Sequence, residues 1–182
     1  MRRVPIAFLL HGPPGCGKTT FARQLEEERN VVRFSHDEWM VVLHGQNPPA
    51  ENFAEYHDRI SKLIWIMAER VLASGRDVAL DLGFWSRASR DEARARISQR
   101  GFGFRLCAFD YSIEEVKQRV LARTQALPSD CLFIDSPTFD LLCRRIEPLG
   151  ADEEHLIVPS GPDQFAGIFK GTGFSDSDRG GD

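Results

Sequence analysis

A three-layer α/β fold, with a five-stranded parallel sheet between helical layers, is the architecture this sequence predicts, and three observations carry it. Short apolar runs alternate with amphipathic stretches of helical period along most of the 182 residues. The first run, "VPIAFLLHG", is continuously apolar, as a strand buried on both faces must be. Directly after it, "GPPGCGKTT" supplies more turn-formers than a tight turn needs and no residue that a core would ask for.

The elements follow in order. From Lys18 to Glu28 the period becomes helical, with Phe21, Ala22 and Leu25 on one face and glutamates on the other. "VVRFS" (31–35) reads as a second strand, and "HDEWMVVLHG" opens a short helix that Gly45 stops. Past Pro48 and Pro49 a long amphipathic helix places Phe53, Tyr56, Ile60, Leu63, Ile64, Met67 and Val71 at three- and four-residue steps, with Gly75 as its stop. "DVALDLG" (77–83) is a third strand. Ser89 followed by Glu92 resembles a capping box, so a helix is expected over about 86–100, before Gly101. "FGFRLCAFDY" is a fourth strand and 112–126 the next helix. Ser136-Pro137 opens another, with Phe139, Leu142, Cys143 and Ile146 as its apolar face and Pro148 closing it. "HLIVP" (155–159) is short enough for a last parallel strand. One domain is therefore expected over 1–159, with a flexible tail over 160–182, where glycine and aspartate dominate.

Composition narrows the class. Hydrophobic residues at 42% and charged residues at 27% are ordinary globular proportions. No apolar run reaches the roughly 20 residues of a membrane span, and the first residues do not read as a signal peptide, so a cytoplasmic protein is expected. Cys16, Cys107, Cys131 and Cys143 have no metal-ligand spacing, so neither zinc nor a disulfide is expected. The net charge of −4 gives no general attraction to polyanions, so any phosphate contact must be local.

That local contact is the loop. Gly12-Pro13-Pro14-Gly15-Cys16-Gly17-Lys18-Thr19 fulfils G-x-x-x-x-G-K-[ST] between a predicted strand and a predicted helix. Its backbone N–H groups and the helix N-terminus suit phosphate oxygens. Lys18 brings a mobile positive charge to the β- and γ-phosphates of ATP, Thr19 a hydroxyl for Mg²⁺, and Thr20 a position near the α-phosphate. Cys16 is a small neutral filler or, alternatively, a redox-sensitive thiol.

Nucleotide binding alone does not name a reaction. The second strand runs into Asp37 and Glu38, and the third carries Asp81, so carboxylates are expected at the sheet edge where α/β domains bind ligands. Asp37 is the candidate base for an acceptor hydroxyl, or else a helix N-cap, and Trp39 is a candidate substrate contact. Asp81 fits a metal role, or a contact to the acceptor. Arg119 and Arg123, one helical turn apart, are either phosphate-neutralising residues of a lid or a solvated face paired with Glu115. Arg90 is the candidate for a substrate contact among Arg87, Arg90 and Arg94.

"HGPPGCGKTTFARQL", "FSHDEWM", "LDLGFWSRASRDEAR" and "VKQRVLAR" resemble the four motif blocks of a P-loop kinase family. That family includes polynucleotide 5′-hydroxyl kinases, zeta-toxin-like kinases and small AAA-type ATP-binding proteins. The resemblance spans about residues 4–158. It implies the P-loop NTPase fold with strand order 2-3-1-4-5 and a small helical lid at about 119–136. It also implies Asp37 as general base, Asp81 as the second acidic position, Arg123 with Arg119 as lid arginines, and Arg90 as an arginine frequent after the third strand. Where polynucleotide kinases carry an arginine for the acceptor's phosphate, this chain has Met40.

The expectation is an ATP- and Mg²⁺-dependent phosphotransferase acting on a hydroxyl of a small molecule, with nucleic acid disfavoured as acceptor. The alternatives are a polynucleotide hydroxyl kinase and a non-catalytic ATP-binding switch. Nothing in the sequence sets the oligomeric state.

Overall fold

The computed structural model describes residues 3–126 and 128–159, together with Phe165 and Ile168. Among these the elements run β1 (Ile6–His11), α1 (Lys18–Arg29), β2 (Val32–Ser35), α2 (His36–His44), α3 (Ala50–Ala73), β3 (Val78–Gly83), α4 (Arg87–Ser98), β4 (Gly103–Phe109), α5 (Ile113–Ala126), α6 (Ser136–Cys143) and β5 (Leu156–Val158). The five strands pair in parallel in the order β2-β3-β1-β4-β5, as the resemblance implied.

β1 lies at the centre of the sheet. Ala7, Phe8, Leu9 and Leu10 are all buried, and because successive strand residues point to opposite faces, both faces of the sheet are covered. Phe21 of α1 meets Phe109 of β4 edge to face, with ring centroids 5.6 Å apart. The β1–β3 register shifts between Leu9 and His11, and beyond the shift the Gly12 N–H reaches the Gly83 carbonyl at 3.4 Å. That slip ties the loop after β1 to the turn after β3.

Two local expectations need correction. The cap of α4 is Ser86, whose hydroxyl accepts from the Ser89 N–H, so Ser89 sits inside the helix and is not its cap. On α3 the buried stripe is Ile60, Ile64, Ala68 and Leu72, while Phe53, Leu63 and Met67 stay exposed. Ala68 packs where the larger neighbour Met67 seemed the better core residue, because a small side chain lets a helix approach a sheet closely.

Arg90 also departs from expectation. It is fully buried, with its Nε and Nη2 donating to the two carboxylate oxygens of Glu153 at 2.8 and 2.9 Å. Its remaining N–H groups donate to the carbonyls of Phe84, Trp85, Glu147 and Pro148. Every donor of the guanidinium is thus directed at protein, and Arg90 is a fastening between the β3–α4 turn and the segment before β5, not a substrate contact. Glu153 also accepts from Arg94 and from the Gly150 N–H. The hydrogen bond from Arg90 holds the Glu153 carboxyl down from the usual 4.5 to about 2. Stability drawn from the pair is therefore full above about pH 4.5 and is lost as the pH falls towards 2. Glu153→Gln strands a buried guanidinium and is expected to cost about 3–5 kcal/mol at neutral pH by urea denaturation, with the difference from wild type shrinking below pH 4.

The expected tail, 160–182, lies outside the described residues apart from Phe165 and Ile168. Phe165 is buried edge to face against Phe21, with centroids 5.2 Å apart. Among the described residues no helix is long and apolar enough to cross a membrane.

Candidate functional site

Parallel pairing brings the C-terminal ends of β1, β2 and β3 to one edge, and the loops leaving them converge there. The loop 12–17 links β1 to α1. Gly17 caps α1 with φ +104 and no side-chain hydrogen bond, which leaves the first N–H groups of the helix directed into the loop. Gly15, at φ +82, is needed for a second reason: a Cβ there would lie 2.6 Å from Val120 Cγ2 and 3.0 Å from the Val116 carbonyl. The glycine thus lets α5 pack directly on the loop.

Lys18 Nζ donates to the carbonyls of Gly12 and Pro13 at 2.9 and 2.7 Å. It folds over the loop, with its charge inside the curve where phosphate oxygens would lie. Cys16 is buried behind that curve, and burial pushes its thiol up. A neutral filler is what this environment favours.

Thr19 Oγ1 donates to Asp81 Oδ2 at 2.6 Å, joining the loop to β3. A hydroxyl and a carboxylate oxygen side by side are hard donors of the kind Mg²⁺ takes from protein while phosphates and water complete its shell. Among the described residues there is no group of three or more His, Cys, Asp or Glu that could hold a metal ion. Burial pushes the Asp81 carboxyl up, and the nearby Lys18 charge and the Thr19 hydrogen bond pull it back. Thr20 is exposed at the start of α1.

Asp37 lies in the first turn of α2, and Ser35, not Asp37, is the N-cap, its hydroxyl accepting from the Glu38 N–H. Among the described residues the Asp37 carboxylate has no hydrogen bond or ion pair of its own. It is open to solvent yet crowded by protein atoms, as a group on the wall of a cleft is. That crowding raises its pKa, while the charges of Lys18 and Arg123 lower it. Asp37 and Asp81 are close enough for each ionised carboxylate to disfavour the other.

Arg123 lies on the stripe of α5 that includes Val116 and Val120, the two residues packed at Gly15. Its Nε is buried without a hydrogen-bond partner among the described residues. A buried Nε without a partner, on the helix that packs on the glycine loop, leaves a donor for an anionic ligand. Arg119 differs: it is half exposed and pairs with Glu115 at 3.4 Å, one turn back. Trp39 is not brought to Asp37 either. Two positions along a helix is about 200° of rotation, and the indole packs instead against Phe34, 6.0 Å between centroids.

Two features escaped the sequence. Trp85 Nε1 donates to the Gly12 carbonyl at 2.9 Å, the same oxygen that Lys18 contacts. Trp85 follows Phe84, which holds a left-handed φ of +43, and the Phe84 carbonyl is pinned by His11 Nδ1 and Arg90. The Gly12 carbonyl thus has two donors, Lys18 Nζ and the Trp85 indole. Trp85→Phe is expected to weaken ADP binding about 3- to 10-fold by calorimetric titration, the worth of one hydrogen bond. Only the place of Trp85 just after the third strand hinted at this.

The second feature is a strap. Gln46, in the α2–α3 loop, donates from Nε2 to the carbonyls of Pro128 and Cys131 at 2.6 and 3.1 Å and accepts from the Phe133 N–H at 2.9 Å. Arg23 adds ion pairs to Asp130 and Glu38. The segment between α5 and α6 thus crosses from the Arg123 side to the Asp37 side. No local pattern announces such a contact, since its partners lie more than 80 residues apart.

A family model described as an AAA domain matches residues 8–149. No curated protein matches the chain. A gluconokinase from Sinorhizobium meliloti 1021 superimposes with a TM-score of 0.61 at 20% identity, over 90% of this chain and 89% of that one. A sugar kinase from Janibacter sp. HTCC2649 gives a TM-score of 0.65 at 17% identity, over 96% and 98%. A chain of the Pnkp1/Rnl/Hen1 RNA repair complex gives 0.66 at 23% identity, over 80% of this chain and 45% of that one. At these identities the likeness is one of fold, that of P-loop kinases.

Proposed function

This chain belongs to the AAA domain family and has a P-loop kinase-like fold, and on that premise we propose that it transfers the γ-phosphoryl group of ATP to a hydroxyl of a small molecule. The observation that carries the reading is Asp37. It is a carboxylate relieved of capping duty by Ser35, without a hydrogen-bond or ion-pair partner among the described residues, and in the field of Lys18 and Arg123.

In this reading the loop amides and Lys18 hold the β- and γ-phosphates, and Arg123 closes on them from α5. Thr19 and Asp81 would hold a Mg²⁺ ion, which when bound supplies positive charge to the phosphate oxygens. Asp37 accepts the proton of the acceptor hydroxyl as its oxygen forms a bond to the γ-phosphorus. The bond from that phosphorus to the β–γ bridging oxygen breaks, and ADP leaves with the electron pair. Arg119 serves at most as a distant helper, given its pairing with Glu115. The domain is proposed to span 1–159, with α5 and the strap as its lid.

A small acceptor is favoured over a nucleic-acid end. On the acceptor side, residues 34–58, which flank Asp37 in sequence and include His57, contain no lysine or arginine but do contain Asp37, Glu38, Glu51, Glu55 and Asp58. A polyanion gains nothing from such a segment. Met40 is buried in the core and offers no phosphate grip.

The test is γ-labelled ATP with Mg²⁺ against pools of sugars, nucleosides and oligonucleotides, with Lys18→Ala protein as the blank. Label in a small hydroxyl compound supports the reading. Label in oligonucleotides alone, or only as inorganic phosphate at a rate no pool changes, contradicts it.

A further inference from the structure

The acceptor side of the site has a composition of its own. The first turn of α2 packs on the second turn of α3 and brings His36 and His57 into a ring stack, 4.0 Å between centroids and 29° apart. The stack is locked by a hydrogen bond between His36 Nε2 and the His57 carbonyl at 3.1 Å. Phe53 neighbours His57, with ring centroids 6.3 Å apart and the planes tilted by 33°. His36 is buried, whereas His57 and Phe53 reach solvent. His36 adjoins Asp37 in sequence, and His57 is near enough to Asp37 for their charges to act on each other.

The charge state of this shelf is set by its packing. Burial, together with the His36 ring, pushes His57 down to about 4, and burial lowers His36 as well. Both imidazoles are therefore neutral at pH 7. The nearest cations along α3 are committed elsewhere: Arg59 pairs with Glu55 and Lys62 with Asp58, each one turn away on the outer surface. Arg23 and Arg33 are held by Glu38. An acceptor bearing phosphate or carboxylate would thus meet neutral rings and the Asp37 charge on this side, because Lys18 and Arg123, the cations whose charges reach Asp37, are taken up by the ATP phosphates in the kinase reading.

We propose that the acceptor is an uncharged, hydroxyl-bearing molecule with one flat face, which rests on the His57 and Phe53 rings and so presents a hydroxyl to Asp37. The inference builds on the kinase reading and deepens it. A flat neutral ring face takes either the C–H face of a sugar or the plane of a nucleobase, and these two sources share the chemistry. The transfer is the one described above: the hydroxyl oxygen bonds to the γ-phosphorus, its proton passes to Asp37 and ADP departs. The shelf places the ring, and the rest of the site moves the phosphoryl group.

The experiment uses matched acceptors with γ-labelled ATP: glucose against glucose 1-phosphate and glucose 6-phosphate, and adenosine against its 3′- and 5′-monophosphates, so that one anionic partner in each set keeps the accepting hydroxyl. The neutral member of the productive set is expected to exceed its anionic partners by about tenfold or more in kcat/KM, and the productive set tells sugar from nucleoside. His57→Ala and Phe53→Ala are expected to raise the acceptor KM about tenfold with the KM for ATP unchanged, and His57→Phe, which keeps a flat ring, is expected to restore it. Equal or better use of the anionic member, or an acceptor KM indifferent to both alanine variants, overturns the proposal while leaving the kinase reading intact. A second measurement separates the opposite failure. Imidazole proton resonances of His36 and His57 are followed by NMR as glucose or adenosine is added in the presence of ADP. Shifts without any phosphoryl transfer uphold the shelf and overturn the kinase reading; neither shifts nor transfer overturns both.

Discussion

Asp37→Asn is expected to lower kcat by about 10²- to 10⁴-fold, the usual contribution of a positioned general base, with little change in affinity for ADP. The substitution keeps the size of the side chain and removes only its capacity to accept the proton. It leaves the helix start untouched, because Ser35 is the cap, so thermal unfolding should stay close to wild type. The pH profile provides the specific signature. Crowding holds the Asp37 carboxyl above the ordinary carboxylate range. The base is active when deprotonated, so the wild-type rate falls as the pH drops through this raised value. The Asn variant lacks that acid limb. A variant with wild-type kcat and the same acid limb would remove Asp37 from the chemistry.

Arg123→Ala is expected to be at least as severe in kcat, about 10³-fold, because a guanidinium that meets the transferring phosphoryl group acts most strongly in the transition state. The stability effect should run the other way. Arg123 holds a buried Nε without a partner among the described residues, so its removal relieves an unsatisfied group, and the unfolding midpoint is expected at or above that of wild type. Arg123→Lys restores charge but not the planar fork and should recover only part of the rate. Arg119→Ala, losing one surface pair with Glu115, should change kcat less than severalfold.

The fold was legible where local physics decides it. The continuous apolar run ending at Gly12 and the short, largely apolar run ending at Gly83 announced buried parallel strands, and the motif from Gly12 to Thr19 announced the loop between strand and helix. Helix ends were less legible, since Ser86 and Ser89 are equally plausible caps until the backbone chooses. The long-range polar partners could not be read at all. Arg90 looked like a ligand contact because its counter-charge, Glu153, lies 63 residues away with no pattern linking the two. Trp39 looked like a substrate contact because it lies only two residues from Asp37, but on a helix that spacing turns the side chains to opposite sides. Conversely, His57 was passed over because a histidine on an exposed helical face has no signature until a second ring stacks on it. The left-handed Phe84, which turns the following Trp85 towards Gly12, is likewise a tertiary outcome.

The measurement that bears most directly on the central claim is the ratio of phosphate ester formed to ADP formed, with the best acceptor from the screen at saturation. A phosphotransferase in which Asp37 takes the hydroxyl proton and Arg123 closes over the phosphates forms one ester for each ADP, and Asp37→Asn slows both together. ADP accompanied by inorganic phosphate alone, at a rate that neither acceptor nor Asp37→Asn alters, would contradict the account and make the chain a nucleotide-hydrolysing switch.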